Sequence, residues 1–194
     1  MTNTMNEIQR LNLFMNTAPA LILDNKPFID WLTNNGFFSA PASTKYHGSY
    51  NGGLFDHSKA VVDDLLHLTE DLKLKWQREE SPFIIGMFHD LCKIDQYKEV
   101  VDEPGEVMFG TTEPVGYKSH YEYQETLIKG HGDKSIIYLS RFLTLTEEEI
   151  MCIRFHMGAF YAEEKEAYSK AVELFPNVLF AHTADMLASK VRGV

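Results

Sequence analysis

The apolar run FIIGMF leads straight into His89 and Asp90, and Lys93 comes one helical turn later. An imidazole beside a carboxylate at the end of a core-like segment has two readings. It is a polar helix end facing water, or it is part of a metal site. Eight histidines occur in the chain, at 47, 57, 67, 89, 120, 131, 156 and 182. His47, His131 and His156 stand beside glycine or at a helix end, and His57 falls in the first turns of a long helix just after NGG. Asp185 sits inside the apolar stretch FAHTADMLAS. A carboxylate buried there must be paired, coordinated or neutralised, unless it lies on an exposed stripe. Taken singly, these are weak signals. His67 belongs to the solvated face of DDLLHLTED, His120 reads as a surface or substrate-side group, and His182 as a packed, hydrogen-bonded histidine one turn before Asp185. Beside His89 and Asp90, however, His57 and His131 become a pattern. Neutral imidazole and carboxylate suit Mn²⁺, Fe²⁺, Ni²⁺, Co²⁺ or Zn²⁺ without choosing among them. A divalent ion lowers the pKa of bound water from ~16 towards ~7 and stabilises charge on a phosphoryl oxygen, so hydrolysis needs no side-chain nucleophile.

The elements that must position these groups are mostly helical. MNEIQRLNLFMN puts Ile8, Leu11 and Met15 on one stripe, and DNKPFIDWLTNNGFF predicts a short helix ended by Gly36. Residues 40–53 form a loop rich in small residues and turn formers. Leu54, Val61, Leu65, Leu68 and Leu72 then recur at helical spacing. Ser81 is the expected N-cap of the next helix, with Pro82 at its first position. Adjacent helical residues point about 100° apart, so His89 and Asp90 converge only on an ion lying between them near that helix's end. Residues 94–119 hold β-prone runs around DEPG and predict a hairpin turning at Pro104–Gly105. Helices resume with GHGDKSIIYLSRFL. Thr146 and Glu149 form a capping box for a helix running to Gly158. KEAYSKAVELF and NVLFAHTADMLASKV close the pattern, separated by Pro176.

With 194 residues, 44% of them hydrophobic, the chain predicts a single domain, residues 1–40 being a helical extension packed on it. Its 18 basic and 28 acidic residues leave a formal charge of −10. That opposes extended nucleic-acid binding, which rests on phosphate neutralisation, but not binding of a small anion at a metal. Cys92 and Cys152 lie in apolar segments outside any CxxC pair and read as reduced core residues. The N-terminus lacks a basic start followed by an apolar run, and no window approaches a membrane span. A cytoplasmic protein is the expectation, and the N-terminal apolar stripe could pair two copies as a homodimer.

The segments GGLFDHS, FHDLCK, GHGDKS, IRFHMG and HTADMLA, spread over positions 52 to 188, resemble in order and type the HD-domain superfamily of metal-dependent phosphohydrolases. The resemblance implies an all-α helical bundle, here with a small β-hairpin insertion around 94–119, and metals at its centre. It matches His57, His89, Asp90 and Asp185 to the ligands of the metal site that names the family. His131 and His156 match the extra histidines of its two-metal branches, in which Asp90 would bridge both ions. Those branches include cyclic-dinucleotide phosphodiesterases with an HD-GYP signature and certain bacterial 3′–5′ exoribonucleases. Several two-metal relatives have HH where this chain has His156–Met157. The second ion then has one fewer protein ligand, is held more weakly, or is absent. The GYP stretch is missing too, which turns the expectation away from cyclic di-GMP.

The resemblance and the residue pattern together predict an enzyme that hydrolyses a phosphomonoester or phosphodiester of a small phosphorylated metabolite, a nucleotide foremost, with one or two divalent transition-metal ions. A 3′–5′ exonuclease or cyclic-nucleotide phosphodiesterase is the alternative enzyme, and a nucleotide-sensing module the alternative without catalysis. Lys93 is the residue placed to hold a phosphate oxygen, its other reading being a cation at a helix C-terminus. Lys134 and Arg154 are further phosphate candidates against a reading as solvated cations. His47, with Tyr46 and Tyr50, lies on the loop leading into His57, where it could shape a substrate pocket.

Overall fold

The computed structural model describes residues 5–101, 119–159 and 162–194. Among these, nine α-helices occur in the order α1 (Glu7–Thr17), α2 (Ala20–Leu23), α3 (Lys26–Asn34), α4 (Gly53–Leu72), α5 (Ser81–Phe88), α6 (His131–Leu139), α7 (Glu147–Arg154), α8 (Lys165–Leu174) and α9 (Asn177–Met186). An antiparallel strand pair, β1 (Tyr97–Val101) and β2 (Ser119–Tyr123), interrupts them, with Tyr97 opposite Tyr123 and Val101 opposite Ser119. The architecture is therefore mainly helical with one small sheet. The strand that pairs with β1 begins where the predicted insertion was expected to end, so the insertion reaches Tyr123. The predicted turn at Pro104–Gly105 lies outside the described residues.

Helices α4, α5, α7 and α9 pack on one another at the centre, and α6 rests on α7 and on a 3₁₀ turn, Leu91–Asp95. All eight residues of α5 are buried, which is why its sequence shows no polar stripe. Its closest neighbour is α4, whose Leu54, Val61 and Leu65 are buried as the spacing predicts. Gly86 makes the approach tight: a Cβ there would come within 2.8 Å of the Val62 main chain. Glycine lets the two helices touch. One histidine of the pattern lies on α4 and another directly after α5.

Two expectations change. On α1, Ile8 and Met15 are 70% and 39% exposed, while Arg10 and Phe14 are fully buried. Phe14 joins the rings of Phe38, Phe83 and Phe88. Arg10 meets Asp56 through two hydrogen bonds of 2.8 and 2.9 Å, and Tyr50 donates to the same carboxylate at 3.1 Å. A bidentate, charge-assisted pair turns the helix face that hydropathy alone misorients. Ser81 is the first residue of α5 rather than its cap, and its hydroxyl donates to Glu149 Oε1 at 2.8 Å. The capping box of Thr146 and Glu149 is present on α7, although that helix stops at Arg154, short of Gly158. No helix among the described residues is long and apolar enough to cross a membrane.

Candidate metal centre

Several separate elements bring the predicted histidines and aspartates together. His57 stands on the second turn of α4, His89 and Asp90 come directly after the last residue of α5, His131 opens α6, and Asp185 lies near the end of α9. His156 comes just after α7. The divergence expected of adjacent helical residues is avoided because α5 ends at Phe88. Asp90 takes φ −103° and ψ 17°, in the sparsely populated bridge region where active-site residues often sit. The 3₁₀ turn beyond it places Lys93 directly over Asp90, with Nζ 2.6 Å from Oδ2.

Hydrogen bonds fix the protons of the central imidazoles. His57 Nδ1 lies 2.9 Å from the Val194 main-chain oxygen, His89 Nδ1 2.9 Å from Gly86 O, and His156 Nδ1 2.7 Å from Ile153 O. A main-chain oxygen only accepts, so each Nδ1 carries a proton, and each ring, when neutral, turns an Nε2 lone pair inward. These lone pairs face one another and the carboxylates. His57 Nε2 is 3.2 Å from His89 Nε2 and 3.1 Å from Asp185 Oδ1. Asp90 Oδ2 is 3.6 Å from His57 Nε2 and 3.4 Å from His89 Nε2. On its other side, Asp90 Oδ1 is 2.6 Å from His131 Nε2 and 3.5 Å from His156 Nε2. Neither approach has hydrogen-bond geometry, and both Asp90 Oδ1 and His156 Nε2 are buried without a hydrogen-bond partner.

Acceptor facing acceptor in a dry interior is costly. A cation reverses the sign. Metal–ligand bonds of ~2.1 Å hold neighbouring donors ~3–3.4 Å apart, and most of the separations here fall near that range. The residues fit a divalent ion on donor chemistry as well: His57, His89 and Asp90 form one group able to hold an ion, and Asp90, His131 and His156 a second. Main-chain acceptors behind Nδ1 are the usual outer support of metal-binding histidines. His131 has a different support, Cys92 Sγ at 3.3 Å from its Nδ1.

The electrostatics suit cation binding. Burial raises the Asp90 carboxyl, but Lys93, His89 and His131 outweigh it and hold the group well below the ordinary carboxylate range. Burial likewise opposes ionisation of Asp185, yet His57, His89 and His156 bring it down to about 2. Burial lowers His89, whereas at His156 burial is outweighed by Asp90 and Asp185, which raise the ring. Burial works against the Lys93 ammonium, but Asp90 more than compensates and raises it. Burial, with Asp90 adding to it, pushes the Cys92 thiol up to about 12.

The remaining candidates separate. His47 is half-buried, its ring centroid 5.2 Å from that of His57, and burial together with His57 and Lys93 pushes it down to about 4. Lys134 is only 3% exposed, and its ammonium donates to Asp95 and to Thr126 Oγ1. Arg154 is half-exposed, lies 3.4 Å from Asp133, and lines a cavity of about 420 Å³ with Gly130, His131, Gly132, Met157 and Glu164. His182 Nδ1 donates to His156 O at 2.7 Å, supporting the turn that carries His156. His67 and His120 are not in either ion-holding group. Sequence reasoning misses Arg10, Cys92 and the Val194 oxygen. A charged residue at position 10 between apolar neighbours, and Asp56 directly before His57, are the signals that could have exposed the first. Nothing local marks the other two.

Comparison of the chain with protein-family models, with curated proteins and with solved structures gives no match.

Proposed function

We propose that this protein is a metal-dependent phosphohydrolase of the HD-domain type, acting on a small phosphorylated metabolite and foremost a nucleotide. The observation that carries the reading is the inward convergence of three Nε2 atoms on two carboxylates, with Asp90 Oδ1 and His156 Nε2 without a hydrogen-bond partner. His57, His89, Asp90 and Asp185 would hold one divalent ion, and Asp90, His131 and His156 a second. Asp90 suits both because its two oxygens face different histidines. A divalent ion in such a site acidifies water and neutralises charge on a phosphoryl oxygen.

The chain's own groups supply the rest. Main-chain acceptors hold the Nδ1 protons and turn Nε2 inward; a ring also protonated at Nε2, as the raised His156 favours, gives up that proton when an ion enters. An ammonium has three donors; one of Lys93's faces Asp90, and we assign the others to a phosphoryl oxygen of the substrate. The cavity beside His131, at about 420 Å³, has the size of a small-ligand pocket, and Arg154 on its wall suits a second phosphate oxygen. Lys134, already engaged by Asp95, takes a supporting role in this scheme.

The test is a panel of nucleotides, sugar phosphates and short oligonucleotides, incubated separately with Mn²⁺, Fe²⁺, Ni²⁺, Co²⁺ and Zn²⁺. Release of phosphate or nucleoside from a small member, abolished in Asp90→Ala, is expected. Turnover confined to oligonucleotide ends would put an exonuclease in its place. Thermal stabilisation by a nucleotide without turnover would leave a sensor.

A further inference from the structure

Helix α9 does not stop cleanly after Asp185. It widens into a π-helical turn, Leu187–Arg192, a rare form frequent at functional sites. Gly193 then adopts φ 75° and ψ 24°, and Val194 N returns to Ala188 O at 3.2 Å. The reversal is latched to α4 by an ion pair between Arg192 and the buried Asp64, two turns along that helix from His57. Its outcome is that the Val194 main-chain oxygen sits 2.9 Å from His57 Nδ1. One helix and its extension therefore grip a single imidazole from both sides, because Asp185 Oδ1 is 3.1 Å from Nε2 of the same ring.

In the neutral ring the two contacts compete for one proton. A neutral imidazole has a single N–H. With the Val194 oxygen in place, that hydrogen sits on Nδ1 and the Nε2 lone pair stays open. Without it, the hydrogen is better placed on Nε2, where it can be donated to Asp185 Oδ1. That bond would close off both groups at once.

We propose that residues 187–194 form a strap that sets the His57 tautomer, with Gly193 as the positioning residue that turns the chain. The backbone demands a left-handed conformation there, and a Cβ would meet nothing within 4 Å, so residue 193 can be varied with little change to packing. The effect on ion affinity rests on the metal reading above; the tautomer does not.

The experiment compares wild type, Gly193→Pro, Gly193→Asn and a chain ended after Arg192, all first freed of metal with a chelator. Long-range ¹H–¹⁵N correlation, followed with rising pH until the ring is neutral, reads the His57 tautomer, and Mn²⁺ titration reads affinity. Proline cannot reach a positive φ, whereas asparagine tolerates one. The wild type and Gly193→Asn should carry the proton on Nδ1 and bind Mn²⁺ alike. Gly193→Pro and the shortened chain should move it towards Nε2 and bind about 10–100-fold more weakly, the usual cost of losing an outer partner of a metal ligand. Should the proline variant not fold, the shortened chain and Arg192→Gln decide the same comparison. A wild-type proton on Nε2, or an unchanged tautomer in folded strap variants, overturns the proposal. Wild-type protein that shows Nδ1–H yet binds no ion fails the metal reading and leaves the strap standing.

Discussion

Two buried polar clusters share the same helices and differ in one respect. At the N-terminal end of α7, Glu148 and Glu149 are as deeply buried as Asp90. Every carboxylate oxygen there is satisfied. Glu149 accepts from Arg78, Ser81 and the Thr146 amide, and Glu148 accepts from the Gln77 amide and Asn177. Past the other end of α7, His156 Nε2 and Asp90 Oδ1 have no such partner. The first cluster is closed within the chain and serves folding. The second is open, and its groups could hold a metal ion. Burial of charge does not distinguish a site from a strut, and incomplete satisfaction does so only where unpartnered groups converge, because Arg10 Nη1, Ser58 Oγ and Asp64 Oδ2 are singly unpartnered as well.

That contrast can be broken by experiment. Glu149→Ala leaves Arg78 without its carboxylate and should cost about 3–5 kcal/mol, as removal of one partner of a buried pair does. Denaturant unfolding should show this loss with and without Mn²⁺. The open cluster should behave in the opposite way. Mn²⁺ at ~100 times its dissociation constant should stabilise the wild type by ~2.7 kcal/mol, EDTA should reverse the gain, and Asp90→Ala should show none of it in thermal melts.

Asp185 gives a smaller effect in the metal-free protein. Its pKa falls from the ordinary 3.8 to about 2 on folding, so its contribution is complete above the higher value and lost as pH falls through the lower. The shift corresponds to about 2 kcal/mol. Stability measured from pH 5 down to 2 should therefore fall less steeply in Asp185→Asn. His156→Leu should lower metal-free stability by about 1–3 kcal/mol, because the Ile153 oxygen loses its buried donor, while reducing the gain from Mn²⁺. The least perturbing probes are the thiols. Cys92 borders the open cluster and Cys152 the closed one, and burial raises both. Neither should react with iodoacetamide at pH 8 before unfolding; rapid alkylation of Cys92 alone would mean that the open cluster is also loosely packed.

Local features carried most of what the sequence made legible. The Thr146–Glu149 box, the α4 stripe as far as Leu65 and Pro176 between α8 and α9 each depend on neighbours a few residues away, and each has its expected place, whereas Leu72 at the end of the stripe is 53% exposed. The histidines and aspartates could be grouped because their types are unusual in apolar settings. What stayed hidden depends on distant partners. The orientation of α1 is decided by Asp56, 46 residues beyond Arg10. Ser81 looks like a cap until Glu149 is brought to it, and Lys134 looks solvated until Asp95 is. The acceptor for His57 is a main-chain oxygen 137 residues away, and a main-chain oxygen has no letter in the sequence.

Gly86 has a consequence for ion selection. Because α5 rests against the Val62 backbone with no room for a methyl group, the gap between the first two histidines is inherited from the close contact of α4 with α5. A cation too large for that gap would have to pry apart two tightly seated helices rather than nudge a loop. For an ion held there as proposed, ionic radius would be screened by the stiffness of the scaffold before any ligand preference is exercised.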